Sequence, residues 1–230
     1  MNQNIYTSAY YSLLVQFIIA VFCLSGTFFK LNTDDKILNE ILVLETIVQF
    51  IEFFFYIWLV FNFSNIKIDV SLIRYLDWFI TTPTMLFSLI CFMVYYNKTQ
   101  NISTTSLSMR EIYNNNSSII NNILLLNAIM LLFGLLGELK TVSKHIGFFI
   151  GTICLSLSFY LIYSHFVNNQ LLNQFLFWFN FILWSIYGFA YLMSFDNKNI
   201  TYNILDVFSK NINGLMILGY IIFIYFYKQV

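Results

Sequence analysis

Residues 74–83 read RYLDWFITTP and residues 205–211 read LDVFSKN. Each places ionisable groups inside a stretch that is otherwise apolar. In the first, Arg74 and Asp77 are three apart, Asp77 and Thr81 four apart, and Ser88 follows Thr81 by seven, so all four share one face of a 3.6-residue helix. In the second, Asp206 and Lys210 are again four apart, and further back Glu45 and Glu52 are separated by seven. These charges demand a reason because of the chain around them. Of its 230 residues 59% are hydrophobic and only 10% charged, with a mean hydropathy of +0.73. A soluble domain is nearer 45–50% apolar and about a quarter charged. The polar surface needed to cover a water-facing globule is missing, and an ionisable side chain in a bilayer costs a few kcal/mol.

A membrane helix needs about 20 mostly apolar residues. Seven such stretches lie near 9–29, 37–62, 69–95, 119–138, 145–166, 171–194 and 203–227. The expected fold is therefore all-α, a single seven-helix membrane domain over 1–230 with only short connections. The breaks are polar, the longest being the Asn-rich stretch from Tyr96 to Ser118, whose sequon-like triplets are what an Asn-rich sequence produces by chance. The first stretch lacks a basic leading region and is too long for a cleaved signal peptide. Eleven basic residues balance eleven acidic ones, which points away from nucleic acid. Cys23, Cys91 and Cys154 are far apart in apolar runs with no metal-ligand spacing, so no metal is expected. With the N-terminus outside, Lys30, Lys36, Lys98, Arg110 and Lys228 face one side and Lys67, Lys140, Lys144 and Lys198 the other, too even a split to orient the chain. No internal repeat supports an inverted-repeat transporter.

Two readings of the charges compete. Arg74 and Lys210 against Asp77 and Asp206 make a balanced ion cluster that would fix helix register. Alternatively, a lysine amine buried in mid-span forms a Schiff base with a carbonyl compound. Once protonated, that imine needs a buried counterion, which the carboxylates provide.

The motifs at 74–83 and 205–211 resemble those of the microbial (type 1) rhodopsins. LWSIYG at 183–188 is similar to the family's Trp-Ser-x-Tyr-Pro run, and NAIMLLFGLLG at 127–137 has its methionine and glycines at family-like spacing. The resemblance covers all seven helices. It implies all-trans retinal held by Lys210 as a protonated Schiff base, with Asp77 as primary counterion and proton acceptor and Asp206 as second counterion. It further implies Arg74 between that pair and the outer exit, and Thr81 hydrogen-bonded to the acceptor. Trp78 and Trp184 would sandwich the polyene, flanked by Tyr187, Tyr191 and Thr82, with Met130, Gly134 and Thr152 at the ring end. The family's N-terminus is outside, and its members are often homo-oligomers in lipid.

The departures carry information. Where proton pumps of the family keep a carboxylate donor eleven residues after the acceptor, this chain has Ser88, giving an Asp-Thr-Ser triplet. Gly188 replaces the sixth-helix proline, Tyr191 a tryptophan, and Lys198 stands near the usual acidic release group. The triplet, short loops and Asn/Ile/Phe-rich composition resemble the giant-virus rhodopsins. Glu45 and Glu52 lie outside the common pump pattern. Glu45 fits a displaced proton donor near Ser88; Glu45 and Glu52 with Asn203 and Asn211 also fit a hydrated cation path between the first, second and seventh helices; and Glu45 fits a residue snorkelling to the surface. The sequence favours a light-driven outward proton pump, with a light-gated cation channel as the alternative and a photosensor behind both. The transported species is a proton or cation, and no enzymatic activity is expected. Asp77 and the absence of an Asn-Asp-Gln set disfavour chloride and sodium pumps.

Overall fold

The computed structural model describes residues 2–66, 69–100 and 107–227. Lys67, Lys228 and residues 101–106 of the Asn-rich stretch lie outside the described residues. Among the described residues there are seven α-helices: α1 (Gln3–Gly26), α2 (Ile37–Asn62), α3 (Val70–Gln100), α4 (Met109–Glu138), α5 (Lys144–Phe166), α6 (Leu171–Tyr191) and α7 (Phe195–Tyr227). Single 3-10 turns precede and follow α2, at Thr33–Asp35 and Phe63–Asn65. Each helix packs on its neighbour in sequence, and α7 closes the ring by packing on both α1 and α2.

Helix ends differ from the apolar stretches wherever a polar segment makes its own helical bonds. α4 begins ten residues before its apolar part because Ser108 and Glu111 form a capping box: Ser108 Oγ accepts from Glu111 N at 3.2 Å, and a Glu111 carboxylate oxygen accepts from Ser108 N at 3.0 Å. The joint between this polar turn and the apolar span is Asn116, whose backbone leaves helical geometry (φ −127°, ψ 18°) while its side chain donates to Ile112 O. α1 starts at Gln3 because the Asn2 side chain accepts from Asn4 N. α7 starts at Phe195, so Lys198 and Asn199 are helical and buried rather than part of a loop.

The surface is inverted relative to a water-soluble bundle. Phe61, Leu76, Phe149, Tyr160 and Phe189 face outward, whereas Arg74, Lys210, Glu45, Glu52 and Asp206 are buried. Six of the helices are long and apolar enough by themselves to cross a membrane. α6 is diluted by Asn173, Gln174 and Asn180, yet its 21 residues rise about 32 Å, enough for a hydrocarbon core of ~30 Å. Two of those amides turn inward: Asn173 donates to Asn97 and Asn180 exchanges two bonds with Asn213 of α7.

Candidate functional site

Packing brings the inner faces of α2, α3 and α7 together, with α3 and α7 running parallel so that Arg74 and Asp77 meet Asp206 and Lys210 in the same order. There α3 contributes Arg74 and Asp77, α7 contributes Asp206 and Lys210, and α2 contributes Glu52, none more than 7% exposed. Lys210 Nζ lies 2.5 Å from Glu52 Oε2, 3.1 Å from Asp77 Oδ2 and 3.9 Å from Asp206 Oδ1. Arg74 Nη1 pairs with Asp206 Oδ2 at 2.7 Å and donates to Tyr56 OH, while its Nη2 donates to Asn203 Oδ1. Asp206 also accepts from Tyr56 at 2.8 Å and from Tyr187 at 2.7 Å. The cluster therefore holds two cations and three carboxylates. Buried charge is tolerated only when paired, so full neutrality requires one further proton or cation.

Two sequence expectations change here. Thr81 donates to the backbone carbonyl of Asp77 at 3.1 Å rather than to its carboxylate; the hydroxyl bonds one turn back along its own helix. Glu45 does not snorkel: it is 1% exposed, and Ser88 Oγ donates to its Oε1 across the α2–α3 interface. Glu45 also borders a small cavity of about 10 Å³ with Leu89, Phe92, Asn213 and Ile217. Asn203 belongs to the Arg74 network, whereas the Asn211 side chain donates back to Val207 O. Lys198 pairs with Glu138 at 2.7 Å, tying the start of α7 to the end of α4.

A larger cavity of about 230 Å³ runs from Lys210 between α3, α4, α5 and α6. Trp78, Thr82, Met130, Gly134, Thr152, Trp184, Tyr187 and Tyr191 all line it. The ring of Trp78 meets Tyr187 edge-on at 5.6 Å and Tyr202 at 5.1 Å, and Trp184 packs on Phe159 at 5.7 Å. Thr82 is held by Asn127, which donates to its hydroxyl at 2.8 Å. At Gly134 a Cβ would come 2.6 Å from Tyr75 OH, so glycine there leaves room for the Tyr75 ring against α4. Tyr75, Phe181, Gly147, Gly151, Tyr202 and Ser209 also line the cavity. Sequence reasoning missed them because one aromatic or glycine among so many carries no signal. Tyr56 and Gln49 were missed too, although both lie on the α2 stripe that spacing exposes: 45, 49, 52 and 56 follow each other at steps of four, three and four.

Residues 8–224 match the bacteriorhodopsin-like protein family, and the chain belongs to that family. Among solved structures, it is similar to the viral rhodopsin OLPVRII, with a TM-score of 0.79 and 28% identity over 94% of this chain and 96% of the other. In fold it is also similar to the proton pumping rhodopsin AR2 from the marine alga Acetabularia acetabulum, with a TM-score of 0.71 and 18% identity over 95% and 94% of the two chains. A blue light-absorbing proteorhodopsin from Med12 gives a TM-score of 0.71 at 18% identity, over 95% and 96%. No curated protein matches the sequence. The chain is thus a multi-pass integral membrane protein of the microbial rhodopsin family, for which a retinal chromophore is implied. The residues present fit that group: an apolar, aromatic-walled cavity ends at Lys210, whose amine is flanked by carboxylates.

Proposed function

We propose that the protein is a light-gated cation channel that carries all-trans retinal on Lys210, with the whole chain acting as one seven-helix membrane unit and its N-terminus outside. The observation that carries this reading is the polar stripe of α2. Glu45, Gln49, Glu52 and Tyr56 are all buried; Glu45 bonds Ser88 of α3 and borders a small cavity with Asn213 of α7, while Gln49, Glu52 and Tyr56 turn to the seam with α1 and α7. There Tyr56 and Gln49 bond α7 directly, while Ser12 and Gln16 of α1 donate to the carbonyls of Asn203 and Asp206. A file of carboxylates and amides through an otherwise apolar bundle is how a cation path is lined. The excess carboxylate of the Lys210 cluster adds attraction for a cation.

When bound, retinal supplies light absorption and isomerisation. Lys210 anchors it at the mouth of the cavity, and Trp78 and Trp184 confine the polyene. Asp77, Glu52 and Asp206 compensate the cationic nitrogen, while Arg74, Tyr56 and Tyr187 hold Asp206 in place. Light that turns the Lys210 nitrogen away from these acids unbalances the cluster, and the seam they share with α2 is free to rearrange.

A second reading, the outward proton pump favoured by the sequence, is supported by one contact. Ser88 stands where pumps of the family keep a donor, and it is bonded to Glu45, which would then donate instead. Photocurrent measured against voltage in symmetric solutions separates the two. A channel current reverses near the equilibrium potential of its ion, whereas a pump current keeps its sign through zero.

A further inference from the structure

Between Glu45 and Glu52 on the stripe lies Gln49, fully buried, four residues after the first and three before the second. Its carboxamide is held only lightly. Nε2 sits 3.4 Å from the carbonyl of Lys210, at the long limit of an N–H···O contact, and 3.4 Å from Cys23 Sγ, a weak acceptor. Its Oε1 is buried with no hydrogen-bond partner among the described residues. Space for the amide comes from Gly214, one turn after Lys210 on α7. A Cβ there would collide with Gln49 Nε2 and approach Cys23 Sγ to 3.3 Å. The side chain thus lies against the backbone of Lys210, at a point where α7 presents no side chain of its own.

We propose that Gln49 is the specificity-determining residue of the cation path, its Oε1 serving as a neutral oxygen ligand for a partly dehydrated monovalent cation passing from Glu52 to Glu45. This rests on the channel reading. A neutral carbonyl oxygen between two acids lets a cation be handed on, because a third charge in the same place would hold it too tightly to leave. Because so weak a contact with the Lys210 carbonyl orients the amide, a shift of α7 at Lys210 frees the ligand to turn. Gly214 sets its position, so the two residues act as one unit.

The test is whole-cell photocurrent with sodium replaced by N-methylglucamine, at fixed pH, in the full-length protein reconstituted with retinal. Gln49→Leu, which keeps volume and removes the oxygen, and Gln49→Ala, which removes it without plugging the path, should each lower sodium relative to proton permeability about fivefold, the factor one lost hydrogen-bond-strength contact represents. Gln49→Asn should recover part of it. Gly214→Ala should shift selectivity in the same direction, and should add nothing in a Gln49→Ala background. A reversal potential unchanged in Gln49→Ala, or additive effects of the two sites, would overturn the proposal. The wild-type current decides the underlying reading separately: if it does not reverse, the channel assignment fails whatever the variants do.

Discussion

Lys198→Met should destabilise the folded protein markedly. Lys198 and Glu138 lie 2.7 Å apart with side chains only 3% and 6% exposed. Each stands at the wrong end of its own helix: a cation in the first turn of α7, an anion as the last residue of α4, where the macrodipoles disfavour them. Their pairing cancels both penalties. At an effective dielectric near 20 the attraction is about 6 kcal/mol gross, most of it offset by desolvation. Breaking such a pair from one side leaves a buried charge and costs about 3–5 kcal/mol. For a chain of this size each kcal/mol moves Tm by about 2–4 °C, so a drop of roughly 6–20 °C is expected. The assay is loss of the visible absorption band on heating the purified pigment. Lys198→Met with Glu138→Gln removes both charges and should recover most of the loss. A single variant melting within about 2 °C of wild type, or a double variant worse than the single, would refute the argument.

Lys210→Ala supplied with retinal should give no visible band that survives washing; a stable pigment reducible onto another lysine would remove Lys210 from its role. Glu52→Gln, Asp77→Asn and Asp206→Asn test which acids are charged. At 2.5 and 3.1 Å from Nζ, Glu52 and Asp77 each interact by roughly 5–7 kcal/mol if ionised, so neutralising an ionised one should red-shift the band, and the variant with little shift marks the proton-bearing acid. Three unshifted spectra would contradict the arrangement. Glu45→Gln should alter reversal potential and conductance with little change in recovery of the dark band. Recovery prolonged several-fold and restored by azide would favour the pump instead.

The bundle was legible in the sequence because seven apolar runs leave little else to build; helical spacing grouped Lys210, Asp77, Asp206 and Arg74 as buried charges, while their roles came only from the resemblance of the motifs to the microbial rhodopsins. What escaped depended on packing between helices. Spacing puts Glu45 and Glu52 on one face of α2 but cannot say that α7 meets that face, and so hides the Glu52–Lys210 contact. Hydroxyls were over-read: Thr81 sits one turn from Asp77, yet a buried threonine has its own backbone as a ready acceptor. Hydropathy is blind to polar helical ends, such as the capping box at Ser108 and the turn of α7 held by the Lys198–Glu138 pair.

The α3 backbone carries a consequence of its own. Pro83 has no N–H, so the carbonyl of Phe79 one turn back loses its helical partner. Around it Thr81, Thr82 and Thr84 donate their hydroxyls to the carbonyls of Asp77, Trp78 and Ile80, leaving Phe79 as the single gap in that series. The helix is thereby divided like a jointed lever, with Arg74, Asp77 and Trp78 on one arm and Ser88 on the other. With one backbone bond missing between Asp77 and Ser88, bending at that turn costs less than elsewhere along α3, so the two ends of the helix are less rigidly coupled than its unbroken length suggests.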